Sequence, residues 1–159
     1  MKKVVILMGI LTMISSLFGC ARVNPEEKSG SDEYKKIKSF YYNVSGYSPG
    51  FYYDIHPVGD KIVMVSQDRE NVEKEISVRI DNDTMEELSE LCGKLDVISW
   101  DKYEESNPDI LDGSGFTLRI TYEDGSEVNA RGDNSFPKHY QEFEKSVRKI
   151  LERGTLQSD

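Results

Sequence analysis

Between residues 37 and 153 the chain changes hydrophobic period three times. Residues 39–44 and 51–56 are aromatic-rich runs of alternating character, joined through Gly46, Ser48, Pro49 and Gly50, which is the pattern of a β-hairpin. Alternation places Phe40, Tyr42, Val44, Phe51, Tyr53 and Ile55 on one face, and Tyr41, Tyr52, Asp54 and His56 on the other. Residues 60–66 and 75–80 read as two further strands; in the second, Ile76, Val78 and Ile80 face one way and Glu75, Ser77 and Arg79 the other. The period then becomes helical. Thr84 and Glu87 have the spacing of a capping box, and Met85, Leu88, Leu91, Cys92 and Leu95 fall on one stripe of a helix.

After an irregular stretch through Trp100, Pro108 and Asp112-Gly113, the alternation returns. Phe116, Leu118, Ile120 and Tyr122 point inward, Glu123-Asp124-Gly125 supplies a turn, and residues 127–131 come back with Val128 and Ala130 inward. Pro137 then precedes a helix whose apolar stripe is Tyr140, Phe143, Val147, Ile150 and Leu151, with an end expected near Gly154 and a frayed tail over 154–159. The strands are joined by hairpins, with no helical crossover between parallel strands. The expected fold is therefore α+β: a mainly antiparallel sheet of about six strands with two helices packed on one face, forming a single domain over 37–153.

The beginning of the chain has another character. Lys2 and Lys3 precede an uncharged, mostly apolar run that ends at Gly19-Cys20, an arrangement of positive start and short apolar core that fits a secretory signal over 1–19. The run is shorter than the roughly 20 apolar residues a spanning helix needs. Leu17-Phe18-Gly19-Cys20 resembles the lipobox of bacterial lipoproteins, which implies a diacylglycerol on Cys20 and cleavage ahead of it. Acyl chains contribute about 0.8 kcal/mol per buried methylene, so two of them make a durable membrane anchor. Residues 20–36 are almost free of apolar side chains and rich in Glu, Ser, Gly and Asp, so they read as a flexible tether reaching about 2 nm from the membrane. The expected location is the bacterial cell membrane or envelope, outside the cytoplasm.

Charge narrows the partners. The 159 residues carry 20 basic and 29 acidic side chains; the leader holds two of the lysines and no acid, so 18 basic against 29 acidic remain, a net −11. Such a surface argues against nucleic acid, whose phosphates call for clustered Lys and Arg, and it is repelled by anionic lipid headgroups. With Cys20 acylated, Cys92 has no partner in the chain for a disulfide.

The stretch from Leu111 to Ile150, with Asp112-Gly113, the run FTLRITYEDGSEV, Gly132, Asn134, Pro137 and the closing helix, is similar to a pattern in uncharacterised bacterial lipoproteins. The resemblance implies fold and location and carries no activity.

Candidate chemistry is sparse. Cys92 lies on the apolar helix stripe, where burial disfavours its thiolate. His56 and His139 fall on different elements with no ligand set at zinc spacing. Asp81-Asn82-Asp83 is like the start of a calcium loop, but the glycine and glutamate such a loop requires are missing, and capping by Asp83 and Thr84 explains the acids better. Arg131-Gly132-Asp133 spells an adhesion tripeptide where a turn is expected. No catalytic residue, metal or cofactor is assigned.

The distinctive feature is aromatic density, with seven aromatic residues in the fourteen positions 40–53. If the Phe40 side of this hairpin is core, Tyr41, Tyr52, Asp54 and His56 form a candidate surface for a protein, peptide or glycan, since Tyr offers contact area at low rotamer cost. Arg79, Arg119 and Arg131, all read as outward, extend it or act as solvated partners of Glu75 and Glu127. The expectation is a non-enzymatic binding lipoprotein. The alternatives are an inhibitor of an envelope or secreted enzyme and, less favoured, a hydrolase built on Asp54 and His56.

Overall fold

The computed structural model describes residues 34–46, 50–68, 75–110 and 112–156. The expected signal over 1–19, the lipidation site Cys20, the tether up to residue 33, the turn residues 47–49 and the end of the tail lie outside the described residues.

Seven strands and two helices follow one another as β1 Ile37–Gly46, β2 Phe51–Val58, β3 Lys61–Asp68, β4 Ile76–Ile80, α1 Asn82–Lys94, β5 Glu104–Ser106, β6 Ser114–Tyr122, β7 Glu127–Asp133 and α2 Tyr140–Leu156, with a short 3₁₀ turn at Val97–Trp100 between α1 and β5. They build one sheet in the order β4-β3-β2-β1-β6-β7-β5. Each neighbouring pair is antiparallel except β5 and β7, which run parallel. The fold is α+β, with one strand more than the six expected. The added strand is β5, whose Glu104, Glu105 and Ser106 are all exposed and show no apolar alternation. It is held by backbone pairing of Glu104 with Arg131 and of Ser106 with Asp133.

Most residues that the alternation places inward are buried, Ile76 at the start of β4 standing exposed, and Met64 of β3 joins them. Phe40, Tyr42, Phe51, Ile55, Met64, Phe116, Leu118, Ile120 and Val128 are buried, and the helices press Leu88, Cys92, Phe143, Val147 and Leu151 onto them. Burying a side chain of this size contributes about 1.5–3 kcal/mol, so this single layer of contacts dominates the stability. Within it, Tyr42 donates a 2.9 Å hydrogen bond to the Tyr140 hydroxyl, and burial pushes both phenols well above their ordinary range.

Both helix ends depart from the reading of the sequence. Asp81, not Thr84, is the N-cap of α1: its carboxylate accepts a 2.8 Å bond from the Thr84 backbone N–H, and the bonds from Thr84 favour the carboxylate and hold its pKa below the usual aspartate value. Thr84 is buried in the first turn, and Glu87 pairs with Arg153 of α2, so the apparent capping box is one turn too late. At the other end, α2 continues through Gly154 to Leu156. A Cβ on Gly154 would stand 3.1 Å from Thr84 Oγ1, so this glycine lets the two helices approach and does not end α2.

Two further placements differ from expectation. Arg131, Gly132 and Asp133 lie within β7, and the chain turns afterwards at Asn134, whose φ is +52°. Gly132 is buried beneath Phe116 and the Ser135 carbonyl. Residues 34–36, the last of the expected tether, are bound to the domain. Lys35 Nζ donates to Asp124 and Ser126 at 2.8 and 2.9 Å, the Lys36 carbonyl accepts from the Glu123 N–H, and the Ile37 N–H donates to Ser89 Oγ.

Candidate functional site

With both helices on one side, no described element covers the opposite face of the sheet. On it the strand registers set Asp54 of β2 directly across from Tyr41 of β1, and Tyr41 across from Arg119 of β6. The Arg119 guanidinium carbon lies 5.1 Å from the centroid of the Tyr41 ring, within cation–π range. Two residues along β2 in either direction stand Tyr52 and His56, which share the face of Asp54 because side chains in a strand alternate. The structure therefore brings all four sequence-derived residues, Tyr41, Tyr52, Asp54 and His56, into one half-buried patch.

Their polar groups are engaged locally. His56 Nδ1 lies 3.2 Å from Asp54 Oδ1, which fixes the ring orientation. The Tyr52 hydroxyl donates a 2.7 Å bond to Glu75 Oε2 across β3, and this bond, with a smaller contribution from burial, pushes the phenol up to about 12. Glu75 thus serves Tyr52, a pairing that the sequence, which offers Glu75 to the arginines, does not specify.

Val63 and Val65 belong to the same surface. The register sets Val65 beside Asp54 and Val63 beside His56, and both are half-buried on the uncovered face. The signal for them is the unbroken apolar run Ile62-Val63-Met64-Val65: alternation can bury only every second residue of it, so the others must stand on the outer side. The patch is thus an aromatic and valine strip edged by Arg119 and Glu75.

The remaining chemistry-bearing residues are dispersed. Cys92 is buried and unpaired to any disulfide, and burial pushes its thiol up to about 12. His139 lies at the start of α2, 3.9 Å from Glu142. Among the described residues no three His, Cys, Asp or Glu side chains are placed to share a metal ion. A shallow depression between Tyr34, Lys35, Gly93, Ile98 and Tyr122 lies beside the start of β1.

The chain matches no protein-family model, no curated protein and no solved structure. Its own residues are the guide to its role. Flat strand surface, aromatic rings with polar rims and an oriented but shallow histidine suit contact with a macromolecular surface more than enclosure of a small molecule.

Proposed function

We propose that the protein is a non-enzymatic, lipid-anchored binding module outside the cytoplasm, and that the uncovered sheet face around Tyr41, Tyr52, Asp54 and His56 docks a folded protein of the cell envelope. The observation that carries this reading is the segregation of both helices to one side, which leaves aromatic and valine side chains half-buried on a face that no other described element covers. Tyr and Arg are the residues protein interfaces favour, and Tyr41 with Arg119 supplies such a pair at the middle of the sheet. The lipobox-like end of the leader supports the anchor: Cys20 would hold the domain near the membrane while residues 21–33 give it reach.

The test uses the full-length chain in its own membrane, with a photo-crosslinking residue at Thr117, an outer-face neighbour of Asn43 in the register. A discrete protein adduct is expected, lost in the Tyr41→Ala/Tyr52→Ala variant and absent when the crosslinker sits at Glu86 on α1. An adduct unchanged by the double substitution overturns the site, and an adduct of saccharide composition overturns the protein partner. Fatty-acid labelling that persists in a Cys20→Ser variant overturns the anchor.

A further inference from the structure

The two edges of the sheet are built differently. Edge strands expose unsatisfied N–H and C=O groups and are commonly blunted by shortness, charge, proline or a bulge. β5, at one edge, is three residues long, and its Glu104, Glu105 and Ser106 are all exposed. β4, at the other, reads Ile76-Ser77-Val78-Arg79-Ile80, pairs with β3 in unbroken register and has only apolar side chains on its inward face. It contains no proline. Among the described residues no strand pairs with its far side. Ile76 stands 43% exposed there, one of few large apolar side chains left in solvent.

The sequence of this edge is close to self-complementary. When a second copy of the strand is laid antiparallel with Ser77 opposite Ser77, Glu75 falls opposite Arg79 of that copy and Ile76 opposite its Val78, and symmetry repeats both pairs. Opposite charges meet on the outer side and apolar side chains meet on the inner side. Moving the register by two residues, so that Val78 sits opposite Val78, would instead set Glu75 against Asp81, a like-charge pair. Opposite charges set across from each other stabilise a sheet and like charges destabilise it, so the first of these two registers is the favoured one.

We propose that β4 is a self-association edge, through which two copies of this chain join antiparallel about a two-fold axis at Ser77 into one continuous sheet. The closed two-fold arrangement uses the same surface on both copies, so it ends at a dimer and does not propagate. A contact this short buries less than a standard interface, so the pairing is weak between freely diffusing copies. Copies confined near one surface meet at a far higher effective concentration. The pairing itself does not depend on what the outer face binds or on how the chain is anchored.

The experiment is oxidative crosslinking of the full-length chain in the cells that express it. Directly opposed residues of an antiparallel pair have Cα atoms about 4.5–5.5 Å apart, within disulfide range. Ser77→Cys is therefore expected to give a covalent dimer, whereas Val65→Cys, on the outer face of β3, is not. Glu75→Cys and Arg79→Cys are each expected to stay monomeric alone and to crosslink when differently tagged copies are expressed together. Adding Arg79→Glu to Ser77→Cys should lower the dimer yield about five-fold through two like-charge pairs, and Glu75→Arg added to both should restore it. A Ser77→Cys yield no higher than that of Val65→Cys overturns the association. Crosslinking of Glu75→Cys with itself overturns the register.

Discussion

Tyr34 packs directly on Gly93 of α1, so closely that a Cβ at position 93 would stand 1.9 Å from Tyr34 Cδ1. A glycine in the last turn of a helix costs about 1 kcal/mol relative to alanine, and here that cost makes room for the ring of a residue ahead of β1. Gly93→Ala should therefore release residues 34–36 while leaving the thermal midpoint unchanged or slightly higher. Hydrogen exchange at the Glu123 amide, which donates to the Lys36 carbonyl, checks this. Faster exchange at that amide without global destabilisation is the expected result.

Gly132→Ala should be far more damaging. Its Cβ would stand 2.0 Å from the Ser135 carbonyl oxygen and 2.5 Å from the Phe116 ring, neither of which can move without disturbing β7. Overpacking of this kind costs about 1–3 kcal/mol, readable as a lowered urea midpoint. Arg131→Ala, on the exposed side of the same tripeptide, should stay within about 0.5 kcal/mol of the parent.

The Tyr42–Tyr140 bond offers a double-mutant cycle. Tyr42→Phe leaves the buried Tyr140 hydroxyl short of a partner and should cost about 1–2 kcal/mol. Removing both hydroxyls together should cost less than the sum of the single changes, because no buried oxygen is then left unsatisfied. Denaturant unfolding of the four proteins measures the coupling.

Alkaline pH should destabilise the domain. Burial raises the Cys92 thiol from 9.0 to about 12 and lifts the Tyr42 and Tyr140 phenols above 10.0. For such groups the neutral form is favoured in the fold, so their stabilisation is complete below the unfolded value and declines as pH rises beyond it. Stability should fall from about pH 9, and more steeply above pH 10. In Cys92→Ala the first part of that decline should be absent, which a series of thermal melts from pH 7 to pH 11 would show.

The strands and helices that bury one face were legible in the sequence because burial imposes a period. Phe40, Tyr42, Ile55, Phe116, Leu118 and Ile120 repeat every second residue, and all are buried. Met85, Leu88 and Cys92 repeat at helical spacing and are buried too. What was missed has no local period. β5 is exposed on all three residues and exists through backbone bonds to a strand more than twenty positions away. The N-cap is not legible locally because Asp81, Asp83 and Thr84 are each competent; the bond from the Thr84 N–H to Asp81 is what selects the first. The same holds at the candidate site. Alternation put Tyr41, Tyr52, Asp54 and His56 on one side, but the Tyr52–Glu75 bond and the Arg119–Tyr41 contact depend on pairing between strands, which alternation does not encode.

The strand that follows residues 34–36 is β1, and it lies in the interior of the sheet with β2 on one flank and β6 on the other. A pull on residue 34 along the axis of β1 would strain both of its hydrogen-bond ladders at once instead of peeling one bond after another. The Lys35–Asp124 and Lys36–Glu123 bonds would be the first to yield, because they join the residues ahead of β1 to the turn between β6 and β7.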